Sequence, residues 1–246
     1  MKKSPGCEPE VTFDALFDGR LKIRQRRGGY RFSIDALLLA HFAELRPTDR
    51  VIDLGTGCGV IPLILIFKRK AETVIGVEVQ PSLAALARQN VSLNRFSPKI
   101  EIWEMNFNEL VKQSDRGTFD LVLSNPPYRK VGSGRVNPLE EKALARHEIL
   151  ATLEDLLRTG HHLLKNKGRF CLIYPATRTA DVFQLLRHFH LEPKRVQFVH
   201  SHPQDEASLL MVDALKEGKT QIKVLPPFVL YKPGGQYTLQ AEDLFR

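Results

Sequence analysis

Short apolar runs alternate along the chain with longer segments in which apolar residues recur every three or four positions. The short runs predict buried strands, and the longer segments predict helices. Because strands that alternate with helices build parallel sheets, the predicted fold class is α/β, with a doubly wound, mostly parallel sheet of seven strands. The predicted strands span residues 50–54, 73–79, 100–103, 119–124, 169–174, 195–200 and 207–215. The predicted helices span residues 34–45, 60–67, 81–94, 152–164 and 180–189.

The same pattern divides the chain into three parts. Residues 1–10 are rich in proline, glycine and charge, which predicts a flexible N-terminus. Residues 11–49 form a short N-terminal extension with a basic strip and the first helix, and residues 50–246 form the main domain. Ligands of doubly wound sheets bind beyond the carboxyl ends of the strands. The residues that follow the first four predicted strands are therefore the candidate site.

Composition predicts a cytoplasmic protein. No apolar run reaches the roughly 20 residues that a membrane-spanning helix needs, and no apolar stretch follows the N-terminal lysines as in a signal peptide. Cys7, Cys58 and Cys171 lie far apart and have no metal-ligand spacing, so we expect neither a disulfide nor a metal site. The net charge of +8 is compatible with a nucleic-acid partner. Nothing in the sequence indicates an oligomeric state.

A glycine-rich turn follows the first predicted strand of the main domain. It has the spacing acid-x-Gly-x-Gly-x-Gly, from Asp53 through Gly55 and Gly57 to Gly59, and glycine lets a backbone turn sharply close to a ligand. A dinucleotide-binding turn has the spacing Gly-x-Gly-x-x-Gly and binds a pyrophosphate. The carboxylate of Asp53 would repel a phosphate. The turn therefore favours a ligand with an ammonium group, such as the methionine part of S-adenosylmethionine.

Polar residues also follow the second and third of these strands. Glu78 is placed to accept hydrogen bonds from both hydroxyls of a ribose, although a solvated charge at a strand end is the alternative. Asn106 has two interpretations, a contact with the edge of an adenine or a simple turn.

The most specific string in the chain follows the fourth of these strands, and it reads Asn125-Pro126-Pro127-Tyr128. The prolines hold the backbone extended, so that the Asn125 side chain and a proline carbonyl present two acceptors to one amino group. Tyr128 offers a flat face for stacking. Two fixed acceptors orient a delocalised amine for attack on a methyl group and disperse the charge that forms on its nitrogen. The alternative is a Pro-Pro turn that merely ends a buried strand.

The glycine turn and the Asn-Pro-Pro-Tyr string together resemble those of the class I methyltransferases that modify exocyclic or amide nitrogens. Residues 29–40 and 143–148 resemble the bacterial tRNA (adenine-N6) methyltransferases that act next to the anticodon of a valine tRNA. The resemblance covers nearly the whole chain after residue 11.

This resemblance implies a Rossmann-like fold that binds S-adenosylmethionine and leaves S-adenosylhomocysteine as the product. Position 106 would reach the adenine of the cofactor, where many relatives carry Asp, so Asn106 departs from the family pattern. The implied cofactor-binding residues are Asp53, Gly55, Gly57, Glu78, Asn106 and Asn125. The implied catalytic residues are Asn125, Pro126, Pro127 and Tyr128.

A strip of basic residues precedes the first helix. Residues 20–31 contain six arginines and lysines and no acid, and the loop of residues 129–137 adds further cations. We expect one of these segments to contact the phosphates of an RNA. The other interpretation of the strip is a solvated hairpin in which Leu21 and Ile23 pack on the core.

The expected function is methylation of the N6 atom of an adenine in tRNA, beside the anticodon. The main alternative is an N5-glutamine methyltransferase that acts on a protein such as a release factor. Such enzymes usually have a substantial helical domain before the core, whereas only about 50 residues precede the first strand here. Methylation of DNA adenine and a binding module without catalysis are two further alternatives.

Overall fold

A computed structural model describes residues 11–26, 33–126 and 153–246, and all structural statements concern these residues. None of the helices described is long and apolar enough to cross a membrane. The strands are β1 (Val11–Leu16), β2 (Leu21–Arg26), β3 (Arg50–Leu54), β4 (Thr73–Glu78), β5 (Ile100–Glu104), β6 (Phe119–Ser124), β7 (Leu164–Pro175), β8 (Leu191–His200), β9 (Ala207–Lys216), β10 (Lys223–Val224) and β11 (Phe228–Val229). The α-helices are α1 (Ile34–Phe42), α2 (Val60–Phe67), α3 (Pro81–Leu93), α4 (Leu110–Gln113), α5 (Leu153–Leu163), α6 (Thr179–His188) and α7 (Leu239–Glu242).

The centre of the fold is one sheet with the strand order β10-β8-β9-β7-β6-β3-β4-β5, and β11 also pairs with β8. All neighbours are parallel except β9, which runs antiparallel to β7 and β8. The predicted doubly wound, mostly parallel sheet is confirmed. The predicted number of seven strands is corrected to nine, because β10 and β11 add two residues each beside β8. Strands this short leave no periodic signal in a sequence.

Helices cover both faces of the sheet, and each face has its own hydrophobic core. The first core joins residues of α1, α2 and α3 to one face, and the second joins residues of α4, α5 and α6 to the other. Successive residues of β7 show the alternation, because Cys171 lies in the first core and Leu172 in the second. This two-sided burial explains why the central strands consist almost entirely of apolar residues.

The strand β7 begins earlier than the sequence predicted. Residues 165–168 were expected to form a break after the preceding helix, but α5 ends at Leu163 and β7 starts at Leu164. Leu164 pairs with Phe119 of β6, and the register then shifts before Leu121. Residues 165–168 of β7 thus lie opposite the single residue Asp120 of β6. A search for apolar runs misses such an irregular, polar start of a strand.

Residues 11–26 form an antiparallel hairpin, in which Val11 pairs with Arg26 and Leu16 with Leu21. The side chains of Leu21 and Ile23 are fully buried in the first core, as the hairpin interpretation of the basic strip predicted. Lys22 is exposed and Arg24 half-buried, because alternate residues of a strand point to opposite faces. The β1–β2 hairpin therefore packs on the core with one face and turns its cations to the other.

One close approach between helix and sheet gives a test of the packing. Gly160 of α5 lies against the buried ring of Phe170, so that a Cβ atom at position 160 would approach the ring Cε2 atom to 2.1 Å. We expect Gly160→Ala to lower the free energy of unfolding by about 1–3 kcal/mol, although alanine is the better helix former. Urea denaturation measures the change, with the exposed Glu154→Ala of the same helix as the control. Equal stability of the Gly160 variant and the unmutated protein would contradict this packing.

Candidate active site

The glycine turn joins the carboxyl end of β3 to α2. Gly55, Gly57 and Gly59 have φ angles of 79°, 59° and 82°, in the left-handed region that favours glycine. Two successive N–H groups of the turn, starting with that of Gly55, donate to the Val77 carbonyl oxygen at 2.9 Å. A Cβ atom at Gly59 would lie 3.2 Å from Cβ of Ala87, whereas one at Gly55 would meet nothing within 4 Å. Gly59 thus lets α3 approach the turn, and Gly55 leaves open space for a ligand.

Asp53 is a fully buried carboxylate at the end of β3. Among the residues described, neither of its oxygens has a hydrogen-bond partner. Burial raises the pKa of Asp53 to about 7, the negative charge of Glu78 adds to the rise, and the nearby Thr56 hydroxyl opposes it. The Thr56 hydroxyl lies near the carboxylate, but the distance and angle between the two groups are not those of a hydrogen bond. A buried carboxylate without donors is costly when ionised, and a ligand ammonium group would supply the missing charge and donors.

Glu78 lies at the end of the neighbouring strand β4 and is also buried. In contrast to Asp53, it has backbone donors: the Gly57 N–H group donates to Oε2 at 2.8 Å and the Gln80 N–H group to Oε1 at 2.9 Å. These two bonds fix the carboxylate plane and tie the glycine turn to β4. Each carboxylate oxygen can accept a further hydrogen bond, so the predicted ribose contact fits this geometry and stays a prediction.

Asn106 follows β5, the next strand of the sheet. The Met105 N–H group donates to the Glu78 carbonyl oxygen at 3.0 Å, which places Asn106 beside the end of β4. Its Oδ1 atom accepts a hydrogen bond of 3.0 Å from the Asn108 N–H group and caps the short 3₁₀ helix Phe107–Glu109. Asn106 therefore forms a turn, one of its two interpretations. A contact with adenine through the other half of the amide stays a prediction.

Asn125 and Pro126 follow β6 on the other side of β3, and both are half-buried. Asp53 of β3 pairs with Leu123 of β6, so Asn125 lies two residues farther along the chain than the partner of Asp53. The Ser124 hydroxyl donates to the Leu54 carbonyl oxygen at 2.7 Å and holds the ends of β6 and β3 together. Among the predicted site residues, Pro127 and Tyr128 lie outside the described residues, as does the loop of residues 129–137.

The sheet therefore brings Asp53, Glu78, Asn106 and the Asn125–Pro126 turn to one edge, as predicted from their positions after successive strands. Sequence reasoning missed a fully buried asparagine behind this edge, Asn90 of α3, which donates a hydrogen bond of 3.0 Å to the Cys58 carbonyl oxygen. The available signal was a polar residue on the apolar face of α3.

Cys58 and Cys171, the two cysteines in the described part of the chain, are buried, and they form no disulfide with each other. Burial raises the pKa of the Cys171 thiol well above its ordinary value, which makes the thiol a poor nucleophile. The residues described include no group of three or more His, Cys, Asp or Glu side chains that could hold a metal ion.

Comparison with known proteins identifies the family. A family model described as methyltransferase small domain matches residues 33–192, more than half of the chain. A tRNA1(Val) (adenine(37)-N6)-methyltransferase from Porphyromonas gingivalis is 31% identical over 198 residues, which cover 78% of this chain and 77% of that protein.

Solved structures share the fold. A predicted O-methyltransferase from Agrobacterium tumefaciens has a TM-score of 0.69 at 24% identity and covers 85% of this chain and 94% of its own. A geranyl diphosphate C-methyltransferase from Streptomyces coelicolor, solved with S-adenosyl-L-homocysteine, has a TM-score of 0.51 at 14% identity over 74% of this chain and 75% of its own. Family and fold agree: the chain belongs to the methyltransferase small domain family and is a methyltransferase.

Proposed function

We propose that this enzyme transfers a methyl group from S-adenosylmethionine to the N6 atom of an adenine in tRNA, beside the anticodon. The observation that carries the proposal is the pairing of β3 with β4 and β6. It brings a buried, unpaired carboxylate and the Asn125–Pro126 turn to the same edge of the sheet. The relative from Porphyromonas gingivalis, which is named for this reaction, supports the choice of substrate.

The residues after β3 and β4 fit the cofactor. When bound, S-adenosylmethionine supplies an electrophilic methyl group on a sulfonium. The Asp53 carboxylate accepts hydrogen bonds from the ammonium group and gains the charge partner that the fold does not give it. Glu78, fixed by its two backbone donors, accepts from the ribose hydroxyls. Open space at Gly55 lets the backbone approach the ligand.

The residues after β6 orient the methyl acceptor. The side-chain oxygen of Asn125 and the carbonyl oxygen of Pro126 accept the two N–H bonds of the adenine amine, which directs its lone pair toward the methyl group. These dipoles also disperse the positive charge that forms on the nitrogen. Alkylation makes that nitrogen acidic, so water can take its proton and no strong base is needed. Tyr128 lies outside the described residues, and we propose from the family resemblance that it would stack on the adenine ring.

The outward face of the β1–β2 hairpin offers a contact surface for RNA. Phe13 is 62% exposed, and the Arg24 guanidinium lies 5.0 Å from the centre of its ring. Lys22 is exposed beside them. Exposed rings stack on unpaired bases, and cations bind phosphates. Arg20 has a different role, because it donates to the Phe17 carbonyl oxygen at 2.9 Å and lies over the ring of Phe67.

A protein glutamine amide would satisfy the same two acceptors after β6. The basic and aromatic hairpin face favours RNA over this alternative. The decisive experiment incubates the enzyme with labelled S-adenosylmethionine and, in parallel, bulk tRNA, duplex DNA or a release factor. We expect label in tRNA, and nucleoside digestion should identify N6-methyladenosine. Label in the release factor alone would overturn the RNA proposal in favour of the amide.

The role of Asn125 is tested by its removal. We expect Asn125→Ala to lower the methyl-transfer rate about 10²- to 10³-fold, because one of two acceptors for the amine is lost. The dissociation constant for S-adenosylhomocysteine should change far less, by about threefold at most, since we propose that Asp53 and Glu78 make the main contacts with the cofactor. The control is Asn166→Ala, an exposed asparagine on β7. If the Asn125 variant turned over as fast as the unmutated enzyme, the role assigned to Asn125 would be refuted.

The raised pKa of Asp53, about 7, predicts a pH dependence of cofactor binding. Below pH 7 the free enzyme holds a proton on this carboxyl group, and the ammonium group pairs only with the ionised form. Affinity for S-adenosylhomocysteine should therefore rise as the pH increases toward 7 and level off above it. Calorimetric titrations between about pH 5.5 and 8 measure this, with Asp53→Asn expected to flatten the profile. An equally steep profile in that variant would assign the dependence to another group.

Two kinds of hairpin variant separate charge from stacking. Lys22→Gln combined with Arg24→Gln should weaken tRNA binding and reduce the slope of affinity against salt by about one to two. Phe13→Ala should weaken binding without changing that slope, because stacking releases no counterions. Lys99→Gln combined with Lys112→Gln, two exposed lysines elsewhere, is the control. An unchanged slope in the hairpin variant would place the RNA surface elsewhere.

A further inference from the structure

Two asparagines bind the free edge of β2, Asn90 within α3 and Asn94 at the C-cap of that helix. The Asn94 side chain accepts from the Lys22 N–H group at 2.9 Å and donates to the Lys22 carbonyl oxygen at 2.7 Å. One turn earlier, Asn90 makes the same pair of bonds with Arg24, at 2.7 and 3.0 Å. Four helical residues rise about 6 Å, close to the span of two strand residues. The two amides thus replace a neighbouring strand and dock the hairpin on α3.

Asn90 also contacts the glycine turn, whereas the further bond of Asn94 goes to the Asn90 carbonyl oxygen of α3. The Asn90 Nδ2 atom donates to the Cys58 carbonyl oxygen at 3.0 Å, within the glycine turn. Cys58 precedes Gly59, the N-cap of α2, so its carbonyl lies outside the hydrogen bonds that the helix makes within itself. The Asn90 side chain is fully buried. One amide group therefore contacts the turn after β3 and the hairpin at the same time.

The two residues that flank Cys58 in the glycine turn are also held in place. The Gly57 N–H group bonds to Glu78, and Gly59 packs against Ala87 one helical turn before Asn90. A ligand that fixes the glycine turn therefore fixes the position of the Cys58 carbonyl relative to α3. Because both N–H bonds of Asn90 lie in one rigid plane, the geometry of the Cys58 bond constrains the bonds to Arg24.

We propose that Asn90 is a positioning residue that couples the glycine turn to the β1–β2 hairpin, so that cofactor binding and hairpin docking stabilise each other. The inference rests on the proposed placement of the cofactor at this turn. Coupling between two sites is reciprocal. Bound cofactor therefore favours the docked hairpin, which presents Phe13 and Arg24, and RNA bound to the hairpin tightens the binding of the cofactor.

Hydrogen exchange of the unmutated protein tests the coupling without any substitution. S-adenosylhomocysteine should slow exchange in residues 55–59, where it binds, and also in residues 20–26, whose Arg24 N–H group donates to Asn90. Protection of residues 55–59 with none in residues 20–26 would overturn the coupling alone. Unprotected residues 55–59, despite saturation with the ligand, would overturn the cofactor placement and the coupling with it.

The two asparagines provide matched variants. Asn90→Ala and Asn94→Ala each remove two bonds to the hairpin, and both should speed exchange in residues 20–26. Only Asn90→Ala removes the bond to the turn, so it should weaken S-adenosylhomocysteine binding about tenfold, against less than about twofold for Asn94→Ala. Ligand binding should also no longer slow exchange in residues 20–26 of the Asn90 variant. Equal losses of affinity in the two variants would show that Asn90 only anchors the hairpin.

Discussion

The site depends on the position of one strand, β3, between two parallel neighbours. Its pairing with β4 and β6 sets Asp53 level with Gly76 on one side and with Leu123 on the other. Everything that follows these strands is then placed by chain length alone, with Glu78 and Asn125 each two residues farther on. The Ser124 hydroxyl closes the junction with β6 through a bond of 2.7 Å to the Leu54 carbonyl oxygen. A shift of one residue in either pairing would move the residues proposed to bind the methyl donor away from those proposed to bind the methyl acceptor.

The same edge concentrates two buried carboxylates, which the fold treats unequally. The Glu78 carboxylate is stabilised by two backbone N–H donors, one from the glycine turn and one from the N-cap of α3. Asp53 receives none from the described residues, and burial raises its pKa to about 7. Ionising the buried Asp53 costs free energy in the protein without ligand, and a bound cation would offset this cost. Binding of an ammonium ligand therefore relieves a local instability as well as making new contacts.

The sequence predicted what periodicity and backbone chemistry determine. Apolar runs identified the central strands, and the glycines at 55, 57 and 59 identified the turn because each needs a positive φ. Contacts between distant segments escaped prediction. Asn90 bonds to Arg24, 66 positions away, and nothing in either segment marks the other as its partner. Asn106 was ambiguous because capping a 3₁₀ helix and pairing with an adenine call for the same short amide.

The placement of the hairpin has a consequence for the proposed RNA complex. β2 runs antiparallel to α3, since Lys22 bonds to Asn94 and Arg24 to the earlier Asn90. α3 begins directly after β4, so β2 leads toward the carboxyl edge of the sheet. The Asn125–Pro126 turn follows β6, which lies on the opposite side of β3 from β4. An RNA that contacted both the hairpin and this turn would pass over the ends of β3 and β4, where we propose that the cofactor binds. In that complex the RNA itself would shield the methyl donor from water, and the contact between Asn90 and the glycine turn would lie beneath the RNA.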